Sequence, residues 1–217
     1  MPNSVKSIVS RIEQVDLRIA TAMEAKDNPL IRATGALSEI GDQPPMIALS
    51  VGTAIAGAVR RDRRMMRAGV RMLVAHAFAT WTKQAIKAGI VRTRPATAQK
   101  EGYRSDTGKD TDHAVSSFPS GQTAGAVAVA QAVAREYPSV ARPVRGVAAA
   151  VAIVQIPRAK HFLSDLVVGA AIALVAERLA SALVDAVDRR IDAGDASHDR
   201  VDSALTALDK PVVTPLP

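Results

Sequence analysis

Cysteine is absent, which excludes disulfides and thiolate metal sites and leaves the compartment undetermined. Aromatic residues make up only 3% of the chain, which weakens any case for a sheet and leaves few rings for stacking nucleic-acid bases. No nucleic-acid recognition motif is present, and the basic residues sit at the ends of apolar runs, so nucleic acid is not the expected partner. A secretory leader is also missing from the start. Residues 1–26 instead mix Lys6, Arg11, Glu13, Asp16, Arg18 and Glu24 with spaced aliphatics, the pattern of an amphipathic helix.

What remains is 48% hydrophobic and carried by Ala, Val, Leu and Ile, a composition that favours helix. The 217 residues suffice for one sizeable core. A formal charge of +7 suits a partner bearing phosphate, such as a lipid head group or a membrane surface. The apolar runs are Pro45–Val59, Ala68–Ala79, Thr123–Ala134, Val144–Ile156 and Leu166–Val184. Only the last approaches the ~20 residues of a full bilayer crossing. Arg71, His76 and Arg145 interrupt the runs and Trp and Tyr belts are lacking, as in a soluble bundle. Recurrence of the runs and the placing of arginine favour the membrane. Arg60, Arg61, Arg63, Arg64, Arg135, Arg142, Arg145, Arg189 and Arg190 fall in turns on one side, which marks the cytoplasmic face. The expected organisation is an N-terminal amphipathic segment over 1–44, a helical bundle over 45–190, and a polar tail over 191–217 that reads as a frayed or disordered end. The loop with Asp106, Gly108, Asp110, Asp112 and His113 lacks the Gly and terminal Glu spacing of a calcium site, and no metal is expected there.

Three segments carry chemistry. Lys87 and Arg94, with Pro95 blocking helix continuation, offer a compact charge and a planar fork to phosphate oxygens. Phe118-Pro119-Ser120-Gly121-Gln122 precedes a helical run, so Ser120 is a plausible N-cap and Gly121 admits an anion close to the backbone amides. His161 and Asp165 stand four apart, one turn apart on a helix face. A carboxylate bonded to one imidazole nitrogen fixes the tautomer and leaves the other free to attack. Taken singly, these segments are snorkelling cations, an ordinary capped helix and a surface pair.

Together, from Lys87 to Gly169, the segments resemble the signature motifs of the type-2 phosphatidic acid phosphatase superfamily, which contains lipid phosphate phosphatases, class A acid phosphatases and vanadium haloperoxidases. The resemblance implies an all-α membrane helical bundle. It implies a phosphohistidine at His161 oriented by Asp165, phosphate binding by Lys87, Arg94, Ser120 and Gly121, and no cofactor or metal. The expected activity is hydrolysis of a phosphate monoester or pyrophosphate on a lipid-like substrate. The protein is then integral to a membrane, with a bacterial inner membrane expected, and its site faces the periplasm or exterior; a homo-oligomer is compatible with this.

Two positions depart from that pattern. The family has an acid histidine where this chain has Gln122, whose amide cannot release a proton at neutral pH. The family's Ser-Arg ahead of the nucleophile is Val154-Gln155 here, and Arg158 is the candidate to supply the missing guanidinium. Gln122 fits a phosphate binder that has lost catalysis, an enzyme specialised for activated substrates, or an engineered substrate trap. The alternatives to a lipid phosphatase are therefore a non-catalytic phospholipid- or phosphate-binding relative and a soluble bundle whose cationic pocket takes another anion. A haloperoxidase is not expected, because the protonatable histidine it needs is the one replaced and such proteins are larger.

Overall fold

The computed structural model describes residues 3–25, 27–108 and 112–208. Asp110 of the acidic loop, and Pro211, Pro215 and Pro217 of the tail, lie outside the described residues. The chain divides into two compact units, one up to Ser181 and one from Ala182 onward. All the residues discussed below as a site belong to the first.

Among the described residues there are eight α-helices: α1 (Asn3–Met23), α2 (Pro29–Ser38), α3 (Gln43–Val59), α4 (Arg63–Lys87), α5 (Pro95–Glu101), α6 (Gly121–Glu136), α7 (Ala141–Ile153) and α8 (Leu163–Leu208). The sheet is minimal: β1 (Ile90–Arg92) pairs antiparallel with β2 (Ser105–Thr107), with Val91 opposite Asp106. The all-α class expected from the composition is the class observed. Starts and stops follow from local chemistry. Asp62 caps α4 by accepting from the Met65 amide, Ser120 caps α6 by accepting from the Thr123 amide, and prolines open α3 and α5.

Helices α3, α4, α6 and α8 enclose the main core, built from Met46, Met72, Ala75, Ala79, Ala124, Ala128, Ala132, Ile172, Ala173 and Ala176. Alanine dominates it, so the helices approach closely instead of interlocking bulky side chains. The tightest approach is between α3 and α4, where a β-carbon on Gly69 would overlap the backbone of Ala54. At the far end of α4 and α6, Arg67 and Arg71 each reach the Glu136 carboxylate at 2.9 Å, and Arg64 donates to the Glu136 carbonyl. The arginines flanking the α3–α4 turn are thus partly committed to that end of the bundle. The motifs gather at the opposite end.

Helix α8 corrects the expectation of a frayed tail as far as Leu208. The polar segment from Asp192 continues as helix to Leu208, because it contains no proline and only one glycine, Gly194, before Pro211. Within α8, Leu163–Gly194 is long and apolar enough to cross a membrane, with a mean hydropathy of 1.9. Helix α3 is apolar but only 17 residues long.

The glycine seam yields a stability prediction. Gly69→Ala is expected to cost about 1–3 kcal/mol through overpacking, whereas Gly52→Ala, with nothing within 4 Å of the added carbon, should leave the thermal midpoint unchanged or raise it. Equal midpoints for the two variants would contradict this packing.

Candidate active site

The site forms where the C-terminal end of α4, the β1–α5 connection, the start of α6 and the start of α8 meet. Its best-defined element is the Asp165 carboxylate. It is fully buried and accepts from Arg92 Nη1 at 2.6 Å, Ser117 Oγ at 2.6 Å and the Phe162 amide at 2.8 Å. Arg92 is itself held on every side. Its Nη2 donates to Asp16 on α1 at 2.7 Å, its Nη1 to Ser164 Oγ at 2.7 Å and its Nε to the Tyr103 hydroxyl at 3.1 Å. The guanidinium lies 4.5 Å from the centre of the Phe162 ring. Burial works against the charge on Arg92, and the charge of Asp165, then the hydrogen bond that Arg92 donates to Asp16, outweigh it and keep the guanidinium cationic.

His161 is 4% exposed, with Nδ1 3.6 Å from Asp165 Oδ2. That separation is too long for a hydrogen bond, but it directs Nδ1 at the carboxylate and turns Nε2 to the other side of the ring. Burial lowers the imidazole pKa and Asp165 only partly offsets it, so the ring is held in its neutral, nucleophilic form.

His161 opens onto a cleft of about 390 Å³ lined also by Arg94, Lys83, Lys160, Gly121, Gln122 and the Gly41–Pro44 turn. Arg94 donates from Nη1 to the Lys160 carbonyl at 3.2 Å and from Nη2 to the Ser116 carbonyl at 3.4 Å. Lys87 stands behind it, donating from Nζ to the same Ser116 carbonyl at 2.5 Å and to Ser116 Oγ at 3.1 Å. Burial first, then the charges of Arg94 and Lys83, lower the Lys87 pKa to about 8. Gly121 and Gln122 are the first residues of α6, so their backbone N–H groups lie in the unpaired first turn of that helix. Such an arrangement can hold a tetrahedral oxyanion against a buried imidazole.

The structure therefore brings Arg94, Gly121, Gln122 and His161 onto one cleft, with Lys87 and Asp165 directly behind. Two expected residues are placed otherwise. Ser120 is fully buried, and its hydroxyl accepts from Thr123 Oγ1 at 2.9 Å and from the Thr123 amide. It shapes the start of α6 and is not part of the cleft lining. Arg158 does not supply the missing guanidinium. It donates to the Gly35 carbonyl at 2.8 Å and Ser38 Oγ at 2.9 Å and pairs with Glu39 at 3.2 Å, in a separate pocket with Arg32. Positive φ at Ala159 (52°) turns the chain between Arg158 and His161. Gln155 is likewise fully buried, bonding to Ser38 Oγ and the Val151 carbonyl.

Sequence reasoning missed Asp16, Ser117, Lys83, Lys160 and the anchoring role of Arg92. Lys83 stands one helical turn before Lys87, a spacing that could have revealed it; the Asp16–Arg92 pair spans 76 residues and left no local signal. Among the described residues, no three His, Cys, Asp or Glu side chains group closely enough to hold a metal ion.

The chain matches the PAP2 superfamily over residues 68–189 and belongs to it. Among solved structures it is similar to LpxE of Aquifex aeolicus, at 18% identity and TM-score 0.54, over 76% of this chain and 94% of that one. It also matches a transmembrane PAP2-type phosphatidylglycerolphosphate phosphatase from Bacillus subtilis, at 18% identity and TM-score 0.38, over 84% and 96%. No curated protein matches the chain. The helical fold is shared with the Aquifex structure.

The anchor predicts a stability effect. Arg92→Met leaves Asp16 and Asp165 buried without their shared cation and should cost about 3–5 kcal/mol. Asp16→Asn, which keeps Asp165 paired, should cost clearly less in the same thermal melts, and the reverse order would refute the assignment.

Proposed function

We propose that the chain is a phosphatase that hydrolyses a phosphate monoester or pyrophosphate of a lipid-like substrate through a phosphohistidine at His161. The observation that carries this reading is the shared cleft: an imidazole with Asp165 behind its Nδ1, facing Arg94 and the first-turn amides of α6. His161 Nε2 attacks phosphorus in line with the leaving oxygen. Asp165 stabilises the ring as it gains positive charge. Arg94 and the Gly121 and Gln122 amides take the equatorial oxygens, where negative charge collects in the transition state, and Lys87 adds positive potential from behind. The family resemblance implies that these groups suffice without a metal.

A lipid-like substrate is supported by two apolar features. Helix α8 carries a segment fit to cross a bilayer, and a groove of about 340 Å³ runs between α6, α7 and the start of α8, lined by Ala130, Ala149, Ile153, Leu163 and Val167. In this reading the protein sits in a membrane, a bacterial inner membrane, with the arginine-rich end of the bundle in the cytoplasm and the cleft on the periplasmic or outer side. A second reading, a phosphate-binding relative without turnover, is favoured by Gln122 alone, since the amide cannot act as a general acid.

Two measurements test the proposal. Phosphate release from a panel of phosphatidate, polyprenyl pyrophosphate and phosphatidylglycerol phosphate should be eliminated by His161→Ala; turnover that survives the substitution rejects the phosphohistidine, and binding of vanadate with no release from any substrate supports the second reading. Vanadate affinity should also fall as pH rises through about 8, because Lys87 then loses its proton and its charge. Lys87→Arg, which keeps its charge, should move that fall to higher pH.

A further inference from the structure

Gln122 leaves the proposed reaction without a proton for the leaving oxygen, and of the two lysines lining the cleft, Lys83 is the one that lies against the start of α6. Lys83 projects from α4 into the cleft against the start of α6, where a β-carbon on Gly121 would lie 3.1 Å from its Nζ. The ammonium therefore occupies the space that glycine leaves open, beside Gln122. The other cations near the phosphate position are engaged by the protein: Lys87 by Ser116, Arg94 by the Lys160 carbonyl and Ser116, Arg92 by Asp165 and Asp16, and the Lys160 ammonium by Glu39 at 3.8 Å. Lys83 makes no hydrogen bond to another described residue; the titratable groups around it are Asp42 at the start of α3, Arg94 and Lys160 in the same cleft and, on its own helix, His76 and Lys87. We infer that Lys83 is the general acid of this site, donating a proton from Nζ to the leaving-group oxygen.

The inference rests on the phosphohistidine reading and completes it. In the first step the bond from His161 Nε2 to phosphorus forms while the phosphorus–oxygen ester bond breaks. Its electron pair stays on the leaving oxygen, which takes a proton from Lys83 and departs as the alcohol. Lys83 is then a neutral amine. In the second step water attacks the phosphohistidine and gives its proton to that amine, the nitrogen–phosphorus bond breaks, and phosphate and the original ammonium are restored. Burial lowers the Lys83 pKa and Asp42 opposes the shift, so the group is a stronger acid than a solvated lysine while the carboxylate keeps a proton on it. A guanidinium cannot play this part, because it does not release its proton in proteins.

The test compares leaving groups. Wild type, Lys83→Arg and Lys83→Gln are assayed with an alkyl phosphate such as phosphatidate, whose alkoxide must be protonated, and with p-nitrophenyl phosphate, whose phenolate leaves unaided. Both variants should lose alkyl-ester turnover by about 10²–10⁴-fold while aryl turnover changes by less than about tenfold. Adding Gln122→His to Lys83→Arg should restore most of the alkyl-ester activity, whereas Gln122→His in the wild-type background should gain little. Equal losses on both substrates, unchanged alkyl turnover, or no rescue by the histidine each overturn the assignment. Failure of the underlying reading is a separate result: His161→Ala would then retain turnover of the aryl ester as well.

Discussion

The buried ion pair between Arg92 and Asp165 is the constraint around which this end of the molecule is organised. Two charges removed from water are costly unless every lone pair and proton finds a partner. Here the partners come from α1, β1, the Ser116–Ser117 segment and the start of α8. One guanidinium thus ties together segments that the sequence separates by as many as 148 residues, as the Asp16–Ser164 contact shows. The carboxylate beside His161 cannot swing away, because three donors hold it before the imidazole is considered. An oriented nucleophile follows from a satisfied network.

The core beneath explains how the four contributing segments arrive at one place. With few aromatic and many alanine side chains, α3, α4, α6 and α8 pack at short range, and small changes in one helix are transmitted to its neighbours. Helices α4 and α6 run antiparallel, clamped at one end by Glu136 with its arginines and open at the other onto the cleft. Glu136 and its arginines occupy one end, and the cleft with the Arg92–Asp165 pair behind it occupies the other. The separation has a physical basis: the cations at the clamped end are neutralised by a carboxylate, while Arg94 and Lys87 are met by carbonyls and keep their positive potential.

Much of this was legible in the sequence. Four apolar runs fall within α3, α4, α6 and α8, the fifth, Val144–Ile156, overruns the end of α7 at Ile153, and Ser120 caps α6 as its position before an alanine-rich run suggested. Within a helix, spacing dictates direction; His161 and Asp165 were paired on that rule and do lie together, although His161 precedes α8, which starts at Leu163. Loops give no such rule. Arg158 lies three residues from His161, yet a left-handed residue between them sends its side chain to α2. Arg92 sits inside the first motif, yet nothing local marks it as the anchor, because its two carboxylate partners, Asp16 and Asp165, lie far away in the chain. The helix from Asp192 to Leu208 escaped the sequence reading for a different reason: polarity argues against a buried core but not against an exposed helix.

The Ser116 carbonyl has a consequence for how an anion enters. One peptide oxygen receives both the Lys87 ammonium and the Arg94 guanidinium, so before any guest arrives the protein already offers these cations a placeholder. The dehydration of both groups is met largely when the chain folds. Capture of an oxyanion then becomes an exchange of one acceptor for a better one, and its selectivity turns on whether the newcomer is charged: a neutral oxygen would gain nothing over the peptide it displaces.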